Sequence, residues 1–172
     1  MKKVISTHYK IIILIILLII STYFTSRFLL QFALIQGKSM EPTYHSMQLV
    51  MVSKCSSQYD RGDVILFYSD SPDAVLIKRI IGIPGDTIQI KKSTLYINDK
   101  PYTQDSCLQS LSVAYNDIKY AGIAEQPITL DTSSYFVLGD NLFQSKDSRY
   151  QNIGCVQSQY ILGKVISFPL SH

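Results

Sequence analysis

The 172-residue sequence is poor in the residues from which many active sites are built. Its only histidines are His8, His45 and His172, and no His/Asp/Glu cluster falls at ligand spacing, so a metal-centred mechanism has little support and no cofactor is implied. Its three cysteines, Cys55, Cys107 and Cys155, match neither a zinc site nor a C-x-x-C motif. An odd number allows at most one intramolecular pair, Cys107 with Cys155; the simpler reading makes each a small buried apolar side chain. There is no repeat and no low-complexity tract, and no run from Met40 onward keeps a helical period. Acidic residues are missing from Met1 to Lys38, which holds Lys2, Lys3, Lys10, Arg27 and Lys38. Beyond Lys38 the balance is 11 basic to 13 acidic residues, within a chain of formal charge +3. The positive charge therefore belongs to the N-terminal segment, which argues against nucleic acid as a partner and for an anionic membrane surface.

What the N-terminal segment does contain is apolar length. Ile11 to Ile20 is uninterrupted Ile and Leu, and the stretch stays uncharged to Ser26. That is about 16 residues or ~24 Å of helix, short of a ~30 Å hydrocarbon core. Snorkelling of Arg27 and extension through Phe28, Leu29 and Leu30 make up the difference, with Tyr23 and Phe24 at the interface. A cleaved signal peptide is the alternative, but no A-x-A-like site follows Ile20, and the first alanine is Ala33. The lysines ahead of the span favour a cytoplasmic N-terminus and an extracytoplasmic C-terminal domain. The organisation expected is residues 1–10 cytoplasmic, 11–35 transmembrane anchor and juxtamembrane segment, and 36–172 one extracytoplasmic domain, with about 101–127 an inserted loop or small subdomain.

That domain reads as mainly β. Short apolar runs at Leu49–Ser53, Val64–Tyr68, Val75–Ile83, Thr87–Ile90, Thr94–Ile97, Tyr135–Leu138 and Ile161–Phe168 are separated by turn clusters such as Asp60-Arg61-Gly62-Asp63 and Pro84-Gly85-Asp86. Lys91-Lys92-Ser93-Thr94 predicts a hairpin turn.

Two places carry chemistry. In Gly37-Lys38-Ser39-Met40-Glu41-Pro42-Thr43, a serine between glycine and a proline-bounded turn can be held exposed beside backbone N–H groups. The same residues also suit an ordinary turn. A nucleophilic serine needs a base. His45 shares the loop but has no obvious acid to orient it. Lys78 stands in the apolar run Ala74 to Ile81, where a charge is expensive. Desolvation that lowered its pKa from ~10.4 to ~7–8 would make it a competent general base. The competing reading has Lys78 or Arg79 pointing to solvent from an edge strand, since consecutive strand residues face opposite ways.

Four blocks together resemble the type I signal peptidases, a Ser/Lys family of the S26 peptidases. Gly37 to Thr43 is similar to their nucleophile box, Arg61-Gly62-Asp63-Val64-Ile65 to the next strand, Ile77 to Asp86 to the lysine box, and Gly139-Asp140-Asn141 with Ser145-Lys146-Asp147-Ser148-Arg149 to the last box. They occur in the family's order over Ser39 to about Phe168. The resemblance implies a signal-peptidase-like β domain on one N-terminal transmembrane helix, facing outward at the cell membrane of a bacterium of the Gram-positive kind. It implies a membrane-bound serine endopeptidase cutting signal peptides from exported preproteins after small residues. Ser39 would be the nucleophile and Lys78 its base, with the Ser39 backbone N–H serving the oxyanion. Ser145 would orient the lysine, Arg79 and Asp140 would form a structural ion pair, and Asp147 and Arg149 would support the site. Its partners would be preproteins and the lipid bilayer, with no nucleic acid and no metal.

Two positions depart from the pattern. Gly37 stands where some members carry a serine hydroxyl, and Leu142-Phe143-Gln144 replaces polar residues, notably an arginine, and hints at a narrow client list. The alternative is a non-catalytic or client-restricted homologue assisting surface-protein or pilus assembly. A self-cleaving repressor-type relative is disfavoured by the Ile11 to Ser26 segment.

Overall fold

The computed structural model describes residues 2–56, 58–69, 75–102 and 117–166; in the N-terminal helix it describes the side chains of residues 8–24. That helix, α1, runs Lys2–Phe28. Its Ile and Leu side chains from Ile11 to Ile20 are all exposed, so nothing in the β domain covers them. Among the residues whose side chains are described, 8–24 in this helix, no helical stretch is long and apolar enough to cross a membrane. The expected transmembrane span is thus not shown by the fold, although the helix is.

Eleven strands follow among the described residues: β1 (Leu30–Leu34), β2 (Leu49–Ser53), β3 (Val64–Tyr68), β4 (Val75–Gly82), β5 (Thr87–Lys91), β6 (Thr94–Ile97), β7 (Lys100–Pro101), β8 (Ile128–Thr129), β9 (Ser134–Leu138), β10 (Val156–Gln157) and β11 (Ile161–Ile166). They form two antiparallel sheets, β1-β2-β11-β3-β4-β9-β10 and β7-β6-β5-β8. The expected strands recur within a residue or two, because alternating or continuous apolar runs bounded by turn residues have few other ways to bury themselves. The β5–β6 hairpin closes through Lys92 and Ser93, both at positive φ, 48° and 62°. Its flanking strands compensate for that backbone by burying Ile88, Ile90, Leu95 and Ile97.

The strand not foreseen is β1. Leu30 was expected to extend the anchor's apolar surface, but it begins a strand paired along its whole length with β2, Leu30 opposite Ser53 and Leu34 opposite Leu49. The segment expected to be juxtamembrane is therefore tied by hydrogen bonds to the β domain. Of the expected insertion at about 101–127, residues 103–116 lie outside the described residues; what is described is Pro101 in β7 and a short 3-10 turn at Gly122–Glu125. Cys107 also lies outside them, while Cys55 and Cys155 are free thiols.

The fold positions the site through two of its cores. Ile35, Met40, Tyr44, Val50, Val52, Val64, Leu66 and Val165 pack on one face of the large sheet. Ile65, Phe67, Ile80, Tyr135, Val137 and Val156 pack on the other. Strand β4 lies between β3 and β9. Neither of its faces opens freely to water at mid-strand, and Lys78 and Arg79 lie at that point.

Candidate active site

The Ser39 turn is held by its neighbours. Met40 is completely buried, which stabilises the turn by about 1.5–3 kcal/mol relative to an exposed side chain. The Tyr44 amide donates to Met40 O at 2.9 Å, and the Asn141 amide donates to Ser39 O at 3.0 Å. Ser39 itself is half-buried. Gly37, at φ +88°, makes the left-handed bend into the turn, and its amide donates to Ser46 Oγ at 3.3 Å.

From the facing strand, Lys78 Nζ lies 2.9 Å from Ser39 Oγ and donates to Ile77 O at 2.8 Å. Lys78 is 3 % exposed, and no carboxylate is within ion-pair distance of it among the described residues. Burial lowers its pKa from the usual 10.5 to about 8, against the upward pull of the Asp147 and Asp140 charges. Loss of hydration outweighs attraction because both carboxylates have other cations to bind.

Arg79, 4 % exposed, binds Asp140 through two parallel bonds, Nε to Oδ1 at 2.8 Å and Nη2 to Oδ2 at 2.6 Å. Its Nη1 donates to Gly62 O at 2.8 Å, and its Nη2 reaches Thr43 Oγ1 at 3.4 Å. One guanidinium thus joins the Ser39 turn, the 60–63 turn and the Gly139-Asp140 turn. The competing reading, in which one of the two adjacent cations faces solvent, does not hold: alternation sends them to opposite faces, but both side chains are buried.

Asp147 and Arg149 form a second forked pair, at 2.7 Å and 2.9 Å. Asp147 Oδ2 also accepts the Gly139 amide at 3.1 Å, and Arg149 Nη2 donates to Leu142 O at 3.0 Å. Ser145 is buried, and among the described residues its Oγ has no hydrogen-bond partner. A Cβ on Gly139 would collide with Ser145 Oγ and Ser39 O, so only glycine lets the last turn pack against the serine loop. Gly139 and Thr43 are positions that sequence reasoning did not assign. Gly139 was visible as a turn residue and as part of the last box, but its need to be glycine was not, because the close approach that requires it involves Ser39, far away in the chain. His45, the other candidate base, is exposed, and its backbone amide donates to Gln48 Oε1 at 3.0 Å.

An open cleft of about 630 Å³ is lined by Ala33, Ile35, Val50, Leu66, Ile77 and Leu162 among others; neither Ser39 nor Lys78 lines it, but Ile77 precedes Lys78 on the same strand. It lies along β1 and the first half of β4, and its aliphatic side chains are interspersed with Gln31, Gln36, Lys54 and Tyr68. Among the described residues, no group of three or more His, Cys, Asp or Glu could hold a metal ion.

The family profile described as "Signal peptidase, peptidase S26" matches residues 6–169. The chain is 32% identical over 166 residues to a signal peptidase I of Bacillus licheniformis, covering 91% of this chain and 87% of that protein. It is 32% identical over 153 residues to signal peptidase I T of Bacillus subtilis strain 168, covering 84% and 77%. A crystal structure of a signal peptidase I from Enterococcus faecalis V583 is 31% identical, covers 64% of this chain and 98% of that one, and aligns with a TM-score of 0.47. A match over nearly the whole length, to proteins of similar size, shows the family: the chain belongs to the signal peptidase, peptidase S26, family.

Proposed function

We propose that this protein is a membrane-anchored serine endopeptidase that removes signal peptides from exported preproteins, with Ser39 as nucleophile and Lys78 as general base. The observation that carries the reading is the 2.9 Å approach of Nζ to Oγ at a lysine with no carboxylate partner and a pKa lowered to about 8. A neutral amine has two N–H bonds and one lone pair. With one N–H on Ile77 O, the lone pair is available to accept the Ser39 hydroxyl proton. As that proton moves to Nζ, Oγ bonds to the scissile carbonyl carbon, and the Ser39 backbone N–H faces the developing oxyanion. The ammonium then protonates the departing amine, leaving an acyl-enzyme. A water molecule loses a proton to Lys78, attacks the ester and releases the signal peptide, and Ser39 regains its proton.

The remaining residues act on this pair. Ser145, with its unpartnered buried hydroxyl, is assigned to orient the lysine once substrate closes the site. The Arg79–Asp140 and Asp147–Arg149 pairs hold the turns against Ser39, and Asp147 adds a negative field near Lys78. The aliphatic cleft suits an extended peptide with small apolar side chains before the scissile bond, and β1 offers a sheet edge along it.

Three observations support the anchor. Twenty-seven helical residues at ~1.5 Å each give ~40 Å of rod, more than a ~30 Å hydrocarbon core. Apolar side chains with no protein cover fill its middle. Strand β1 begins within two residues of its end and carries Phe32 and Leu34 outward beside Leu49, an apolar face that would lie against the bilayer. With the N-terminal lysines cytoplasmic, the site lies on the outer surface of the cell membrane, in the plane to which signal peptides are delivered.

The full chain in detergent is expected to cleave a preprotein bearing an A-x-A site. Ser39→Ala and Lys78→Ala each lose at least about 10³-fold in kcat/KM with little change in thermal melting. Undiminished cleavage by either variant removes the Ser/Lys assignment.

A further inference from the structure

The structure also contains a second depression, for which the chemistry above has no use. It adjoins the 141–143 loop, since Lys119 on its rim lies 5.3 Å from the Phe143 ring, and that loop touches the Ser39 turn where the Asn141 amide donates to Ser39 O at 3.0 Å. It encloses about 550 Å³ and is lined by Lys119, Tyr120, Gly122, Ile123, Glu125 and Gln151 among others, none of which lines the cleft. Its floor is firmly built. The Ile123 amide donates to Arg149 O at 2.9 Å, Arg149 Nη1 reaches Tyr120 O at 3.4 Å, and the Tyr120 and Tyr150 rings pack tilted by 40° with centroids 4.8 Å apart. A side chain at Gly122 would strike the Arg149 carbonyl, so that close packing depends on the glycine.

Phe143 lies on the loop that touches both, two residues after Asn141 and against Lys119. It is 71 % exposed, yet its loop is anchored on both sides. Leu142 packs on the core of the small sheet and gives its carbonyl to Arg149, and Asn141 bonds Ser39 O. Lys119 Nζ lies 5.3 Å from the Phe143 ring centroid, a cation held over an aromatic face with free access from solvent. A large ring left bare on a fixed loop beside a nucleophile is a contact surface awaiting a partner.

Resting on the signal-peptidase reading, we infer that Phe143 and Lys119 form a binding site for the first residues after the scissile bond, selecting clients with an acidic side chain there. An extended peptide advances ~3.3 Å per residue. One whose signal-peptide side fills the aliphatic cleft crosses Ser39 and continues over Asn141 onto Phe143. A carboxylate in that stretch reaches Lys119 while its methylenes lie on the ring; a basic residue meets like charge instead.

The test uses the full chain in detergent and preproteins identical except for Glu, Ser or Lys in the first few residues after the cleavage site. Wild type cleaves the Glu form about fivefold better in kcat/KM than the Lys form. Lys119→Glu inverts that order, and Phe143→Ser compresses the Glu-to-Lys ratio while leaving discrimination at positions before the bond as in wild type. Melting curves establish that both variants are folded. An unaltered Glu-to-Lys ratio in Lys119→Glu, or a uniform loss over all substrates, overturns the site but leaves the peptidase reading intact. Absence of cleavage by wild type over the whole series overturns both.

Discussion

Lys78 and Arg79 are neighbours on one strand, equally buried, and differ in almost everything that matters electrostatically. Arg79 points into a site with a carboxylate shaped to its fork, a backbone carbonyl and a hydroxyl. Lys78 points at one hydroxyl and one carbonyl, with its nearest carboxylates already bound to arginines. The first environment keeps a charge permanently, while the second makes a charge costly and so favours its loss. Guanidinium cannot lose its proton in the working range, whereas an amine can. The fold thus uses its strongest cation as a rivet and leaves its adjustable one underpaired.

Exchanging the two roles would produce the largest effect. Lys78→Arg keeps the charge and most of the length but removes the lone pair, and is expected to cost about 10³-fold or more in kcat, as severe as Lys78→Ala. Measurable cleavage by Lys78→Arg above that level would mean the amine acts by charge alone. Breaking the rivet comes next. Arg79→Met strands a buried carboxylate and should destabilise the fold by about 3–5 kcal/mol, read from denaturant midpoints. The double variant Arg79→Met with Asp140→Leu should regain much of that, since it removes both charges.

The smallest effect is a slope against pH. Below about pH 8 Lys78 is mostly protonated, so kcat/KM should climb about tenfold per pH unit until near that value and then level off. Stability moves the same way for the same group. The folded pKa of about 8 lies below the ordinary 10.5, so the folded state binds fewer protons between those values than the unfolded chain does. The penalty, about 3 kcal/mol, is fully present below pH 8 and is relieved as pH rises toward 10.5. Relative to Lys78→Met, wild type should therefore gain stability across that window. A flat difference would place Lys78 in water.

Much of this arrangement could be read in the chain, for identifiable reasons. Strands β2, β3 and β6 were legible to the residue because each is an apolar run closed by turn formers on both sides. Ser39 and Lys78 could be picked out because one sits in a constrained turn and the other is a charge in an apolar strand. Strand β1 was obscured because its Leu and Phe residues continue an apolar segment that already had a reading. The burial of Asp140, Asp147 and Arg149 was obscured as well, since charges in a Gly-Asp-Asn turn look solvated until their partners are known.

The sequence by itself determined the local conformations, the β character of the domain and the residue types available for chemistry, because these follow from period, turn chemistry and side-chain functional groups within a few positions. Only the tertiary structure decided which cation is paired and which is not, that Ser145 keeps an unpartnered hydroxyl, and that Phe143 is left bare beside Ser39. Those outcomes depend on groups 39 and 61 positions apart meeting across a sheet, and desolvation is a property of what surrounds an atom, which no stretch of chain carries in itself.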